Sequence, residues 1–328
     1  MKRSGVNSLL ALGLVCAAAA AVALGEVPLG FDQYINAVTE PAEPTGQILW
    51  SIRAPRVVVA AIVGACLGLS GALLQGLLRN PLADPGILGV SACAGLGAAL
   101  AIVIGLAITP GAVEIAALLG ATAAAAVLIA FAARFPEPEA LILFGVSLSA
   151  FAGAVTALVF NFSPSPIATA EVLGWMLGSV ENRAWSDAGW GALALLAASG
   201  LGLWARRGLL ALTLGEETAA TTGLPIRRLK IAAVLAAAIA TGAAVAIAGV
   251  VGFVGLAAPH LVRAAVREDP ARLLLPSTLA GALMLVAADL VARTLPTDAE
   301  VKLGVLTALI GAPLFGLIAW RAARSWRT

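Results

Sequence analysis

The sequence predicts an all-α, polytopic membrane protein with about ten transmembrane helices and both termini cytoplasmic. Three observations predict it. Hydrophobic residues make up 61% of the 328-residue chain and charged residues only 12%, against about 25% charged in an ordinary soluble domain. Apolar runs near the ~20 residues that cross a bilayer core recur along the whole chain. The basic residues between those runs alternate in density, as the positive-inside rule requires. So little charge could not cover a soluble fold, which excludes a soluble enzyme and a disordered chain. A net charge of +2 gives no reason to expect a polyanionic partner such as nucleic acid. The expected solvent is membrane lipid, and the whole of 1–328 reads as one transmembrane domain.

The first apolar run, Leu9 to Leu24, follows Lys2 and Arg3 and resembles a secretory leader. Val15 before Cys16 is a poor match to a lipoprotein site, so the segment is kept as the first span. Residues 26–56 are polar, carry four prolines and are expected to form an external loop. Spans follow at about 57–78, 87–108, 112–133 and 140–160, then a mixed stretch at 161–189 and a span at 190–205. The run from Ile231 to Pro259 is too long for one span. Gly249, Gly252 and Gly255 divide it, giving spans at 231–248 and 250–266. The last two lie at 274–292 and 303–320.

With the N-terminus inside, 15 basic residues fall on inner segments and 5 on outer ones. Merging the two doubtful spans would send Arg321, Arg324 and Arg327 outside. Trp50, Trp190, Trp204, Trp320 and Trp326 sit at span ends, where amphipathic rings prefer to lie. Of the outer basic residues, Arg53 and Arg56 flank Pro55, and Arg293 ends the ninth span. They either snorkel to headgroups or offer a surface to an acidic partner.

Three segments do not suit plain lipid-facing helix. In the first, from Gln75 to Gly86, Pro81 and Pro85 stop helices, while Asn80 and Asp84 can satisfy freed backbone groups. Gly64, Gly68 and Gly71 in the preceding span predict a close-packed face. The second lies in the internal loop 207–230. Glu216 and Glu217 open a short helix at its favourable end, and Gly223 with Pro225 closes it. It reads as a docking element or a solvated loop. The third, Gly249 to Arg263, carries Pro259 and the sole histidine, His260. A lone histidine after a proline is more often a structural hydrogen bonder than a relay or ligand. With three scattered cysteines and no CxxC, neither a metal site nor a disulfide is expected, and no cofactor is.

Together these stretches resemble the cobalamin/ferric-siderophore permease family of ABC importers. The matching segments are Arg53-Ala-Pro-Arg56, Ser70-Gly-Ala-Leu-Leu-Gln75, Arg79-Asn-Pro-Leu-Ala-Asp-Pro-Gly-Ile-Leu-Gly-Val-Ser91, Trp175-Met-Leu-Gly-Ser179 and Leu214-Gly-Glu-Glu-Thr-Ala219. Gly252-Phe-Val-Gly-Leu256 with Pro259-His260, and Gly304-Val-Leu-Thr-Ala308 with Gly311-Ala-Pro313, complete the set, in family order from about 50 to 320.

The resemblance implies a ten-span subunit pairing with a second copy of itself in the inner membrane. Two cytoplasmic ATP-binding subunits would lie below, and a periplasmic or lipid-anchored substrate-binding protein above. No GxxxxGK[ST] loop is present, so ATP hydrolysis belongs to a partner and the chain is not itself an enzyme. By resemblance, Gly215, Glu216, Glu217, Ala219 and Gly223 form the ATPase-coupling segment, and Arg53, Arg56 and Arg293 dock the binding protein. Gln75, Asn80, Pro81, Pro85, Gly252, Gly255, Pro259 and His260 line a structural turn or the pathway. A ferric siderophore is the favoured cargo, with haem or cobalamin as alternatives. The chain departs from the family at Glu300-Val-Lys302, where Glu-Leu-Pro is common, and at the acidic inner turn Phe135-Pro-Glu-Pro-Glu139. An ion-coupled transporter would need buried ionisable groups within the membrane. Only Asp289 qualifies, and it lies near a span end.

Overall fold

The computed structural model describes residues 3–25, 28–135, 137–163, 165–266, 269–296 and 300–325. Lys2, Arg267, Trp326 and Arg327, used in the charge and tryptophan patterns, lie outside the described residues, as does Pro136 of the acidic turn. The described residues contain helices and turns and no strand. This follows from the environment the sequence predicts, because a helix satisfies its backbone within one segment.

Helix α1 spans Arg3–Ala23. The expected external loop is largely helical: α2 spans Phe31–Thr39 and α3 spans Pro44–Gln47, and a π-helical turn, Ile48–Arg53, leads directly into α4, Ala54–Leu77. Two of the four prolines that suggested a loop are start signals. Pro44 and Pro55 occupy first turns, where the missing N–H costs nothing. After a 3-10 turn, Pro85–Leu88, come α5 (Val90–Val103), α6 (Ala112–Arg134) and α7 (Pro138–Asn161). The mixed stretch contains α8, Pro166–Met176, begun by Pro166 with Ser165 as its N-cap. Next come α9 (Trp185–Leu212), the short α10 (Glu216–Thr221) and α11 (Ile226–Ala248). The expected loop 207–230 is thus confined to the turns around α10. Last are α12 (Val254–Arg263), α13 (Pro270–Thr294) and α14 (Leu303–Ser325).

Among the described residues, seven helices are long and apolar enough to cross a membrane: α1, α4 (with the turns before it), α6, α7, α9, α11 and α13. Val90–Val103 and Val254–Val266 are apolar but shorter, and Leu303–Pro313 is the apolar first part of the 23-residue α14. The 14 residues of α5 span only about 21 Å, short of the ~30 Å hydrocarbon core. The expected ten therefore correspond to seven long helices, two short ones (α5 and α12) and the 23-residue α14. The long run is divided where expected: Gly249 (φ 69°) and Phe253 (φ 66°) both adopt left-handed backbone, and the chain between them is not helical.

Helices α4 and α11 form the enclosed centre, while α1 and α7 lie at the periphery. Small residues permit this density. A Cβ on Gly64 would lie 2.2 Å from the carbonyl oxygen of Gly281, and one on Gly68 would lie 2.2 Å from that of Ser277. One on Gly71 would lie 1.7 Å from that of Gly255. Glycine is required here because backbone meets backbone, and in lipid such packing drives helix association. Between α4 and α11, the Ser70 hydroxyl lies 2.7 Å from that of Thr241, and Ser70 donates to the Ala237 carbonyl at 3.0 Å.

The ion pairs among the described residues respect the alternation read from the sequence. Arg183–Glu114 (3.0 Å) and Lys302–Glu181 (3.2 Å) join segments at one end of the bundle. Arg272–Asp269 (2.7 Å) and Lys230–Glu216 lie at the other.

Candidate functional site

Two polar clusters at opposite ends of the bundle hold most of the residues singled out from the sequence. At the end expected to face outward, Arg53, Arg56 and Arg293 converge, the first and last buried and Arg56 partly so. Arg53 and Arg293 are 4% and 8% exposed. The Arg56 Nε and Nη2 donate to one Asp289 carboxylate oxygen at 2.9 and 2.7 Å. Arg56 Nη1 donates to Glu300 at 3.1 Å, with a second contact from Nη2 to the same carboxylate. Arg293 Nε lies 3.5 Å from the other oxygen of Asp289, and its Nη2 donates to the Ala21 carbonyl. Arg53 Nη1 donates to the carbonyls of Val22 and Ala23, at 3.0 and 3.3 Å, and to the Tyr34 hydroxyl at 2.7 Å. Tyr34 in turn donates to Ala23.

The physical logic is that of a helix C-terminus. The last carbonyls of α1 have no partners within the helix, and cations are favourable there. Arg53 and Arg293 supply the donors. Asp289 and Glu300 then neutralise the guanidinium groups that this brings together. The three arginines tie the ends of α1, α4 and α13 to the segment before α14. The Asp289–Arg293 spacing of one helical turn was visible in the sequence. The reach of Arg56 to Asp289 and Glu300, across more than 230 positions, was not.

At the opposite end, the Gln75 segment closes on α12. The Gln75 amide donates to the carbonyls of Ala83 and Leu256, both at 3.3 Å, and its oxygen accepts from Arg263. Asn80 accepts from the Leu82 N–H at 2.9 Å and Asp84 from the Gly86 N–H at 2.7 Å, the local turns expected of these residues. Pro85 packs on Gly255, where a Cβ would lie 2.7 Å from its Cδ. Pro259 is buried within α12. Pro81 and His260 face one narrow cavity with Phe253, Leu256, Gly311 and Phe315. The structure thus brings together Gln75, Pro81, Pro85, Gly255, Pro259 and His260, as the sequence grouped them. No metal-ligating cluster occurs among the described residues. Arg263 is the member that sequence reasoning left out; its place one turn beyond His260 on α12 was the available signal. Gly252 lies in the non-helical turn before α12, with open space around it.

Helix α10 stands at this same end. Gly215 (φ 94°) and Gly223 (φ 75°) bracket it, both in backbone that L side chains avoid. Ala219 is buried on its inner side. Glu217, Thr218, Ala220, Thr221, Thr222 and Gly223 are exposed. The paired glutamates separate: Glu217 faces solvent, while Glu216 turns back to an ion pair with Lys230 at the head of α11.

A bundle of membrane-length helices around two enclosed central ones, with a presented six-residue helix at one end, defines a polytopic permease. Residues 11–321 match the model of the FecCD transport family. The chain is 37% identical over 307 residues to the hemin transport system permease protein HmuU of Yersinia pestis, covering 92% of this chain and 91% of that one. It is 36% identical over 330 residues to the vitamin B12 import system permease protein BtuC of Salmonella typhi, covering 98% of each. It is 38% identical over 287 residues to an uncharacterized ABC transporter permease protein, YvrB, of Bacillus subtilis, covering 86% and 81%. A solved structure, described as an inward-facing conformation of a metal-chelate type ABC transporter, superposes with a TM-score of 0.87 at 32% identity, covering 97% of this chain and 99% of that one.

The protein is therefore a membrane-spanning permease subunit of an ABC importer, integral to the inner membrane. It belongs to the FecCD transport family.

Proposed function

We propose that this chain forms the translocation pathway of an importer for an iron chelate, with a ferric siderophore as the favoured cargo. The observation that carries the coupling part is α10: a short helix, exposed on one side and set between two left-handed glycines, at the end of the bundle away from the arginine cluster. Such an element suits the cleft of a cytoplasmic ATPase. In this reading ten helices cross or enter the membrane, both termini are cytoplasmic, and two copies of the chain pair about a two-fold axis that the substrate follows. The exposed apolar face of α7, with Leu143, Phe151 and Leu158, suits cover by lipid or by the second copy. Each copy engages one ATP-binding subunit, and the dimer accepts one substrate-binding protein.

The arginine cluster supports this reading over an ion-coupled transporter. The buried Asp289 is held by Arg56 and Arg293 at a helix end, so it is occupied as a structural anion. Haem and cobalamin remain the alternative cargoes, because relatives named for each match over most of the chain. Titrating the partner binding protein with ferric siderophores, haemin and cobalamin separates the three. Tight binding of haemin or cobalamin alone would overturn the siderophore assignment.

Coupling is tested by Glu217→Lys and Gly223→Trp in liposomes containing the permease with its ATPase. Both variants are expected to retain basal ATP hydrolysis. Both should lose most of the stimulation produced by loaded binding protein, because they alter the presented face of α10. Full stimulation and import in both would remove α10 from the coupling route.

A further inference from the structure

The segment between α1 and α4 presents an apolar stripe that no described residue covers. In α2 only Ala37 is buried and Tyr34 half-buried; the other residues are exposed. Phe31 (80% exposed), Ile35 (48%) and Val38 (59%) recur three or four residues apart and so share one side of the helix. Asp32, Asn36 and Thr39 share another. Tyr34 and Ala37 form the side held by the protein. Round the helix, a protein-held sector, an apolar sector and a polar sector therefore follow one another. A helix standing in water has no use for the apolar one. A helix lying in a membrane surface beside a bundle needs all three, one each for protein, lipid and water.

The side chains that hold α2 fix its level. Trp50 Nε1 donates to the Ala37 carbonyl at 3.0 Å, and Trp185 Nε1 donates to the Trp50 carbonyl at 2.8 Å. Trp50, Trp185 and Trp190 remain exposed, and tryptophans at span ends collect at the membrane–water boundary. The Tyr34 hydroxyl accepts from Arg53 at 2.7 Å and donates to the Ala23 carbonyl, at the end of α1. Helix α2 is thus pinned at the level of the aromatic belt, between the end of one span and the turn that opens another. Leu24, just beyond α1, and Ile52, in the π-helical turn before α4, are exposed too. They continue the apolar surface toward the exposed side of α1, which carries Leu9, Leu12 and Val15. From residue 26 to residue 52 the chain has Glu26, Asp32, Glu40 and Glu43 and no lysine or arginine. The segment therefore has no attraction for anionic headgroups, and apolar burial is what holds it to a bilayer.

We propose that α2 lies in the headgroup layer of the outer leaflet, with Phe31, Ile35 and Val38 inserted among the lipid chains and Asp32, Asn36 and Thr39 turned to water. Its partner is the lipid surface, recognised through apolar contact and not through charge. So seated, α2 braces the π-helical turn Ile48–Arg53 against the bilayer, at the end where the arginine cluster closes. Only the choice of leaflet rests on the orientation given under the proposed function.

The test uses the full chain in phosphatidylcholine nanodiscs, in a background of Cys16→Ala, Cys66→Ala and Cys93→Ala. Phe31→Cys, Asp32→Cys, Ile35→Cys, Asn36→Cys and Val38→Cys are spin-labelled one at a time. Collision rates are measured with oxygen, which concentrates in lipid, and with a water-soluble nickel chelate. Oxygen is expected to dominate severalfold at Phe31→Cys, Ile35→Cys and Val38→Cys, and the chelate at Asp32→Cys and Asn36→Cys. Adding anionic phosphatidylglycerol to the discs should leave that pattern unchanged. Chelate dominance at all five positions would overturn the proposal. So would shielding of the stripe from both reagents: in the permease alone it would mean cover by the second copy, and only after addition of the binding protein it would mean a protein-docking face. Oxygen dominance confined to discs with anionic lipid would overturn recognition without charge. Unfolding temperatures identify any variant that has lost its fold, and since each position is exposed, two of the three stripe positions suffice to decide. Labelling of Asn36→Cys in spheroplasts by a membrane-impermeant maleimide tests the leaflet separately. No labelling there, with the nanodisc pattern intact, would overturn the orientation and leave the seating in lipid standing.

Discussion

Replacing Arg56 with alanine should destabilise the protein by about 3–5 kcal/mol, the range for breaking a buried ion pair from one side. Asp289 is 1% exposed, and two of the hydrogen bonds to its carboxylate come from Arg56. Without Arg56, that carboxylate retains Arg293 at 3.5 Å, too long to replace what is lost. Glu300 would lose its guanidinium partner as well. The measurement is thermal unfolding of the purified protein in one detergent. Arg56→Lys should recover part of the loss, since it keeps the charge but not the forked geometry. In the double variant Arg56→Ala/Asp289→Ala the cost should fall below the sum of the single changes, because the stranded charge is gone. A single-variant loss under about 1 kcal/mol, typical of exposed pairs, would show that the cluster is solvated and free for other duties. The same burial changes what charge reversal at Arg56 and Arg293 would do: it would place acidic groups beside Asp289 and Glu300 inside the fold, so assembly itself should fail.

Gly71→Leu should be as damaging or worse. Overpacking of a tight core costs about 1–3 kcal/mol, occasionally more. Here the obstacle is the Gly255 carbonyl, which cannot swing aside as a side chain could. The substitution would force α4 from α12, and with it the Gln75 bonds that join both to the Ala83 turn. Gly200→Leu, with no neighbouring atom near its would-be Cβ, provides the control on α9. The expected result is a monodisperse protein with near-native unfolding temperature for Gly200→Leu, and little or none for Gly71→Leu. Equal yields and equal unfolding temperatures would show that α4 and α12 can separate without penalty.

These two sites show differently how much of the molecule could be read in advance. The glycines at 64, 68 and 71 announce their function by spacing, because a small residue every turn has few other uses in a helix. The turn from Asn80 to Gly86 was equally legible, since Asn80 and Asp84 bond to backbone two residues on. The contacts of the arginines were not legible, for a physical reason. A basic residue at an outer span end looks the same in sequence whether it faces water or caps a neighbouring helix. Arg53 caps the end of α1 from 30 residues away, and Arg293 from 272. The helices within the expected external loop were hidden similarly: proline stops a helix or starts one according to which neighbours satisfy the flanking groups.

Sequence by itself determined the solvent, the class of fold and the order of its helices, because those follow from local composition and period. It also placed the break at Gly249 and the short helix after Gly215, where glycine permits backbone that other residues resist. Only the tertiary structure decided which charges meet. Asp289 finds Arg56, Glu216 turns to Lys230 while Glu217 faces outward, and Arg263 reaches Gln75. Pairing of charges across distant helices depends on how the helices pack, and in this chain packing is set by backbone approach at small residues, which leaves no local trace at the charged positions themselves.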